Sequence, residues 1–279
     1  MNLNICENGY IVFQKTVKMK TNQRFDSSTN HLIAYPLHLA DNALILGHRD
    51  SEWTGHGPIL EQDIALSNIA LDLIGQARNF YQYAAKLKAD GSTEDTLAYL
   101  RDVNEFKNCL LVEQPNGDWG QTVTRQFLFS TYQYFLYQQL QHCSDKTIAS
   151  IAEKGLKEVT YHTRWSSEWI IRLGDGTDES HTRMKNALNH LWEFTDELFI
   201  QSSYETGVAK HGIRVDHALI KEQWYEKVRS VLSEATLSIP ESSQQKRENL
   251  GKEGHHTEHL YEILSEMQSL QRALPGCEW

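Results

Sequence analysis

From Leu32 onward the apolar side chains recur at three- and four-residue intervals, the spacing that gathers them on one face of an α-helix. Leu32, Ile33, Leu37, Ala40, Leu44 and Ile45 predict a first helix ending near Gly47. After Trp53-Thr-Gly-His-Gly-Pro58 the proline opens a second helix, with Leu66, Ile69, Ala70, Leu73, Ala77, Phe80, Ala84 and Leu87 in one stripe. Roughly thirty residues rising about 1.5 Å each make it a rod of about 45 Å. Ser92 with Asp95 has the form of a capping box and predicts a third helix to about Val112, before the turn Pro115-Asn-Gly-Asp118. A fourth helix follows to about His142. Asp145 caps a fifth, whose face carries Ile148, Ala152, Leu156, Val159, Thr163, Ser166, Ile170 and Leu173 until Gly174-Asp-Gly176 stops it. A sixth carries Met184, Ala187, Leu188, Leu191, Trp192, Thr195 and Leu198. Shorter helices span Asp216 to Ala235 and Thr257 to Leu274, where Pro275 bars continuation. Nothing alternates with period two for long and no repeat recurs at a fixed period, so the pattern predicts an all-α bundle of long helices with extra flanking helices. Residues 31–279 read as one domain. Residues 1–30 are polar and aperiodic, with an internal Met19, and read as a disordered extension or a misplaced start.

Composition narrows the function. The 279 residues carry 27 Lys and Arg against 37 Asp and Glu, a net charge of −10, with no basic block to neutralise phosphates. Nucleic acid and anionic membranes are therefore not expected partners. No apolar run approaches the ~20 residues that cross a bilayer and no signal peptide opens the chain, which places it in the cytoplasm. Cys6, Cys109, Cys143 and Cys277 are far apart and read as ordinary reduced thiols. No nucleophile elbow, phosphate loop or dinucleotide fingerprint is present. Tyr132, Tyr134, Tyr137, Trp165, Trp169 and Trp192 fall at helical spacing and read as core, with interface anchoring as the alternative.

Long bundles that perform oxygen chemistry hold two irons with a Glu from each of two helices and Glu-x-x-His from each of the other two. The second helix here reads Asp72-Leu-Ile-Gly-Gln76 and the fifth Lys157-Glu-Val-Thr-Tyr-His162. Glu253 and His256 do stand at Glu-x-x-His spacing, inside Gly254-His-His-Thr-Glu-His259. That pair follows a charged, glycine-containing connector and has no companion on another long helix. Thr257 suits a helix N-cap, with Glu258 in the first turn at the positive end of the dipole.

The stretches Glu52-Trp-Thr-Gly-His-Gly-Pro58, Leu71-Asp-Leu-Ile-Gly-Gln-Ala-Arg-Asn79, Leu111-Val-Glu-Gln-Pro-Asn-Gly117, Arg172-Leu-Gly-Asp-Gly-Thr177 and His256-Thr-Glu-His-Leu260 together resemble the C subunits of the ring-1,2-phenylacetyl-CoA epoxidases. The likeness covers about Ala34 to Trp279. It implies a ferritin-like four-helix bundle, and partnership with an A subunit that holds the di-iron centre and binds most of the phenylacetyl-CoA. It implies further a reductase subunit with NADPH, FAD and an iron-sulfur cluster, and small accessory subunits. Set against the Asp-Glu-x-Gly-His helix of such A subunits, this chain keeps Asp72 and Gly75 but places Leu73 in the glutamate slot and Gln76 in the histidine slot. In the fifth helix Val159 takes the glutamate slot and His162 remains. An aliphatic side chain donates no lone pair, and one imidazole with an amide is a poor ligand set for charged ions.

The expectation is thus a non-catalytic structural subunit without a cofactor of its own. The alternatives are an active di-iron oxygenase using Asp41, Asp72, Glu158 and His162, or a helical scaffold unrelated to oxygenase assembly. Asp72 is expected to pair with Arg78 or Lys157, because an interior charge needs a counter-charge. Asp41, Asp72, Gln76 and His162 are expected to form a buried polar cluster where the relative binds metal. Trp53, His56, His256, Glu258 and His259 are candidate contacts to a partner chain, the Trp53-to-His56 loop being either that or an ordered helix connection.

Overall fold

The computed structural model describes residues 27–240, 250–275 and 277. Apolar stripes at helical spacing bury themselves in two antiparallel hairpins. In the first, α1 (Ser27–Ser51) packs along α2 (Leu60–Lys88). The chain then crosses the length of the bundle through α3 (Glu94–Tyr99), a 3₁₀ turn at Val103–Glu105 and α4 (Leu110–Glu113). In the second hairpin α5 (Trp119–Leu140) packs along α6 (Lys146–Gly174). The hairpins meet along α2 and α6. Among the described residues there is no strand, and the two hairpins with their lengthwise crossover form the ferritin-like arrangement.

Outside the four long helices lie α7 (Asp178–Trp192), α8 (Ser203–Val208), α9 (His217–Glu234), α10 (Glu258–Met267) and α11 (Ser269–Ala273). Both α7 and α9 pack against α5 and also against α6, so that α5 is buried along most of its length, Gln126, Phe127, Leu128 and Phe129 included. Tyr132, Tyr137, Trp165 and Trp192 are core; Tyr134 and Trp169 are partly buried against it. Asp145 caps α6 by accepting from the amides of Thr147 and Ile148, and Asp118 caps α5 through Gln121. The first helix runs from Ser27, five residues before Leu32 where the apolar pattern begins, to Ser51, past the end expected near Gly47; residues 1–26 lie outside the described ones.

The continuous third helix predicted from Ser92 to Val112 does not form. Its cap is Thr93 with Thr96, and the helix ends at Tyr99. The cause lies in α1, whose side chains capture the amides that a helix would have used. The Asp41 carboxylate accepts from Lys107 N at 2.8 Å, and the Asn42 carbonyl from Cys109 N at 2.8 Å. Glu197 takes Leu110 N at 2.8 Å. The last predicted helix is likewise broken, into α10 and α11.

Asp41 is fully buried, and it also accepts from Tyr81 at 2.5 Å and from both terminal nitrogens of Arg101. Arg101, stacked against the Phe106 ring at 4.2 Å, binds the crossover to α1 and α2. Asp41→Ala leaves that guanidinium buried without its counter-charge, and denaturant unfolding should show a loss of about 3–5 kcal/mol.

Histidines titrate this outer layer in opposite directions. His38 is buried and donates from Nδ1 to the Lys107 carbonyl at 2.7 Å; burial pushes it down from 6.5 to about 4. For His256 burial also opposes the charge, but the Glu113 carboxylate outweighs it and raises the value. His256 therefore stabilises most fully below its ordinary value and less as pH rises through the folded one. Below about 6.5 the unfolded chain takes the proton that His38 refuses when folded, so His38 costs stability as pH falls from 6.5 toward 4. Unfolding measured across that interval should have a shallower pH slope in His38→Gln, by up to about 1.4 kcal/mol per unit.

Candidate functional site

The centre of the bundle is where α2, α5 and α6 meet. Leu73 and Val159 there are fully buried and purely apolar. Between them the Gln76 amide is nearly saturated. Its nitrogen donates to Glu158 Oε2 at 2.8 Å, and its oxygen accepts from Gln133 Nε2 at 3.0 Å and the Tyr137 hydroxyl at 3.1 Å. Gln133 and Tyr137 also bond each other, at 3.1 Å, one turn apart on α5. Gly155 makes this convergence possible: a Cβ there would lie 2.7 Å from Tyr137 Cε2 and 3.4 Å from Gln76 Cδ. Burial pushes the Tyr137 phenol up, so it stays protonated as a donor.

Elsewhere on α6, fully buried His162 reaches outward and donates from Nε2 to Asp72 Oδ2 at 3.1 Å. Asp72 is half-exposed at the α2–α6 seam. Its partner is this imidazole, not Arg78 or Lys157 as expected; Arg78 is exposed and pairs with Glu94. Asp41 does not join Gln76 and His162: it faces Arg101 and Tyr81 under the crossover. Gln133, Tyr137 and Gly155 carry no motif that marks them in the sequence, although Gln133 and Tyr137 stand four apart on the predicted fourth helix.

A di-iron pair is held by inward carboxylates and imidazoles. The inward set here is leucine, valine, an amide already bonded on both ends and one imidazole already bonded to a carboxylate. Two buried atoms remain without a partner, His162 Nδ1 and Gln133 Oε1, and neither belongs to a carboxylate. One imidazole nitrogen and one amide oxygen neither complete the coordination of two ferrous or ferric ions nor balance their charge, so the set does not fit the pair. Among the described residues no three His, Cys, Asp or Glu side chains converge on a common point.

The C-terminal histidine motif serves a different purpose. Both ring nitrogens of buried His256 donate, Nδ1 to Glu113 Oε2 at 2.8 Å and Nε2 to the Phe106 carbonyl at 3.0 Å. Glu113 also accepts from the amide and the hydroxyl of Thr257 at 2.7 and 2.8 Å, and from Asn108 at 2.8 Å. His256 is thus turned inward and offers nothing to a partner chain, and the Thr257 hydroxyl serves Glu113 instead of capping α10. Glu253 points elsewhere, accepting from Ser203 N at 3.1 Å, so the Glu-x-x-His spacing makes no common site. The neighbouring groove of about 690 Å³ is lined by Asp102, Val103, Tyr261 and the segment from Gly254 to Thr257, and by no residue of the bundle centre.

Of the other candidate contacts, Trp53 faces inward, its indole N–H on Thr122 at 2.8 Å and its ring edge-on to Trp119 at 5.2 Å. His56 is exposed and bonds its own turn, at Thr54 O. Glu258 is exposed, and His259 meets Glu262 at 3.3 Å.

Replacing Gln76 by leucine would strip Tyr137 and Gln133 of their shared acceptor in a dry core. Gln76→Leu should cost about 1–3 kcal/mol in thermal or denaturant unfolding despite its similar volume.

A family model for phenylacetic acid catabolic proteins matches residues 15–279. The C subunit of the 1,2-phenylacetyl-CoA epoxidase of Escherichia coli (strain K12) is 47% identical over 250 residues, covering 90% of this chain and 100% of the relative. With a match across nearly its whole length and a relative this similar, the chain belongs to the phenylacetic acid catabolic protein family.

Proposed function

We propose that this chain is the C-type subunit of a 1,2-phenylacetyl-CoA epoxidase in phenylacetate breakdown, and that its role there is structural. The observation that carries this reading is the bundle centre, where Leu73 and Val159 are aliphatic and Gln76 is closed on by Gln133, Tyr137 and Glu158. A centre so nearly saturated offers a metal pair too few free lone pairs, and its nearest acids, Glu158 and Asp72, are already bonded to Gln76 and His162. The subunit then holds no iron, and the reacting centre lies in a partner A subunit of the same family, which also takes most of the acyl-CoA. A reductase carrying NADPH, FAD and an iron-sulfur cluster, together with small accessory subunits, completes the reading, as does a place in the cytoplasm. No helix among the described residues is long and apolar enough to cross a membrane.

The competing reading makes Asp41, Asp72, Glu158 and His162 iron ligands. Its geometry is unfavourable, because Asp41 is committed to Arg101, Tyr81 and Lys107 N, and the other three are paired along the α2–α6 seam. Two measurements decide between them. The chain expressed alone should carry less than about 0.1 iron per molecule by metal analysis. Co-expressed with the A-type paralogue from the same genome, it should co-purify as a stable complex; stoichiometric iron in the lone chain, or no complex, would reverse the assignment.

A further inference from the structure

Of the carboxylates buried among the described residues, Asp50 near the end of α1 is short of donors. Asp41, Glu113, Glu197 and Glu205 each meet donors on both oxygens. On Asp50 one oxygen has a single contact, Arg125 Nη2 at 3.3 Å, and the other has none. Burial pushes this carboxyl up to about 7, against the pull of Arg125. Arg125 is itself fully buried and is drawn more firmly elsewhere: Nη1 donates to the Gln114 carbonyl and the same Nη2 to Asn116 Oδ1, both at 2.6 Å. Its Nε has no acceptor. The orphan oxygen and the orphan N–H thus belong to one ion pair, and a side-on contact through Nε and Nη2 is the arrangement that satisfies both.

We propose that Asp50 is a proton-operated latch on Arg125: protonated, it leaves Nη2 to Asn116; ionised, it takes the guanidinium side-on through Nε and Nη2 and draws Nη2 away from Asn116. The proton comes from solvent and returns to it, and Arg125 keeps its charge in both states. Asn116 lies in the turn before α5 and ties that turn to the α1–α2 connection. Its side-chain nitrogen donates to the Arg49 carbonyl at 2.7 Å and to Glu52 Oε2 at 2.8 Å. Its backbone carbonyl accepts from Thr122 Oγ1 at 3.0 Å, and that hydroxyl accepts from the Trp53 indole at 2.8 Å. The stretches 52–58 and 111–117, neither of which enters the bundle centre, therefore meet at the latch, and the state of Asp50 reaches Trp53 through Arg125, Asn116 and Thr122. Other charged groups around it are committed. Glu52 opposes ionisation of Asp50 and is held by Arg49, whose remaining nitrogens go to the Glu113 carbonyl. The Glu113 carboxylate of α4 faces His256 and Thr257, Asp63 of α2 the amides of Gly55 and Gly57, and Asp118 at the start of α5 faces Arg183 of α7.

Titration of the full chain from about pH 5.5 to about 8.5 tests the proposal. Infrared difference spectra should show the carbonyl stretch of a protonated carboxylic acid that is lost with a midpoint near 7, and Asp50→Asn should lack that change. Tryptophan fluorescence should step with the same midpoint. The step should vanish in Asp50→Asn, and also in Thr122→Val, which keeps the infrared change but removes the hydroxyl that links Asn116 to Trp53. Between the ordinary value of 3.8 and about 7 the folded chain holds a proton that the unfolded chain has released, so this group contributes less stability as pH rises through that interval. The melting temperature of the wild type should therefore fall relative to that of Asp50→Asn over the same titration, the histidines being common to both. An Asp50 ionised throughout the range, an infrared change without a fluorescence step, or a step that survives Asp50→Asn overturns the latch. Should Asp50→Asn fail to fold, the wild type and Thr122→Val still decide: different infrared and fluorescence midpoints, or a step that persists in Thr122→Val, overturn it.

Discussion

A carboxylate taken out of water must be met by donors or lose its charge, and this constraint organises nearly everything outside the four long helices. Five carboxylates are buried among the described residues: Asp41, Asp50, Glu113, Glu197 and Glu205. None joins the ring of hydrogen bonds around Gln76. Asp41 draws in Arg101 and the amide of Lys107. Glu113 draws in His256 and Thr257 from the far end of the chain, and Glu197 the amides of Leu110 and Lys252. Glu205 receives the Lys252 ammonium, which also donates to the carbonyls of Leu198 and Ile200. Asp50 meets Arg125, whose other nitrogen donates to Gln114 O at 2.6 Å. Nearly every one of these contacts fastens an irregular segment to the bundle, so the crossover and the C-terminal segment are held by charge as well as by their buried apolar residues, Phe106, Leu111 and Leu260 among them.

The same accounting explains the middle. A bundle that carries metal spends its inward carboxylates on ions. Here the inward positions are neutral, and the acids at their edge, Asp72 and Glu158, are each met by one neighbour across the α2–α6 seam. The Gln76 amide can do in one side chain what the site requires, because it donates to Glu158 and accepts from Gln133 and Tyr137 at once, and so ties α2 to α6 and α5 while carrying no charge itself. Burial that would penalise a charge therefore costs little at this centre, while it would penalise any single broken bond.

Much of this is legible in the sequence. Apolar periodicity places α2, α5, α6 and α9 closely, because their stripes are long and the caps of the last three, Asp118, Asp145 and Asp216, are local. The third helix defeats the pattern because its competitor is distant: no window around residue 107 contains Asp41, and it is Asp41 that takes the amide. The same blindness governs single residues. Gln76 and His162 can be named from the motif they replace, whereas Gln133 and Tyr137 join Gln76 only where Gly155 admits the contact. His256 has the look of a surface ligand because its spacing to Glu253 is local and its true partner, Glu113, lies 143 residues away.

A neutral centre also separates this subunit's stability from metal supply. In a bundle whose inward carboxylates await ions, the empty state leaves like charges facing one another, and folding is linked to metal binding. Amide and phenol groups that bond one another leave no such deficit of charge, so this bundle can reach its final shape by packing and internal hydrogen bonds alone. In the proposed pairing with an iron-bearing relative, that would make it the member whose surfaces do not change with iron occupancy. Under the proposed function, a fixed template of this kind would order a partner's helices before the partner's metal arrives, a physical reason for such an assembly to include a bundle whose centre is closed by its own hydrogen bonds.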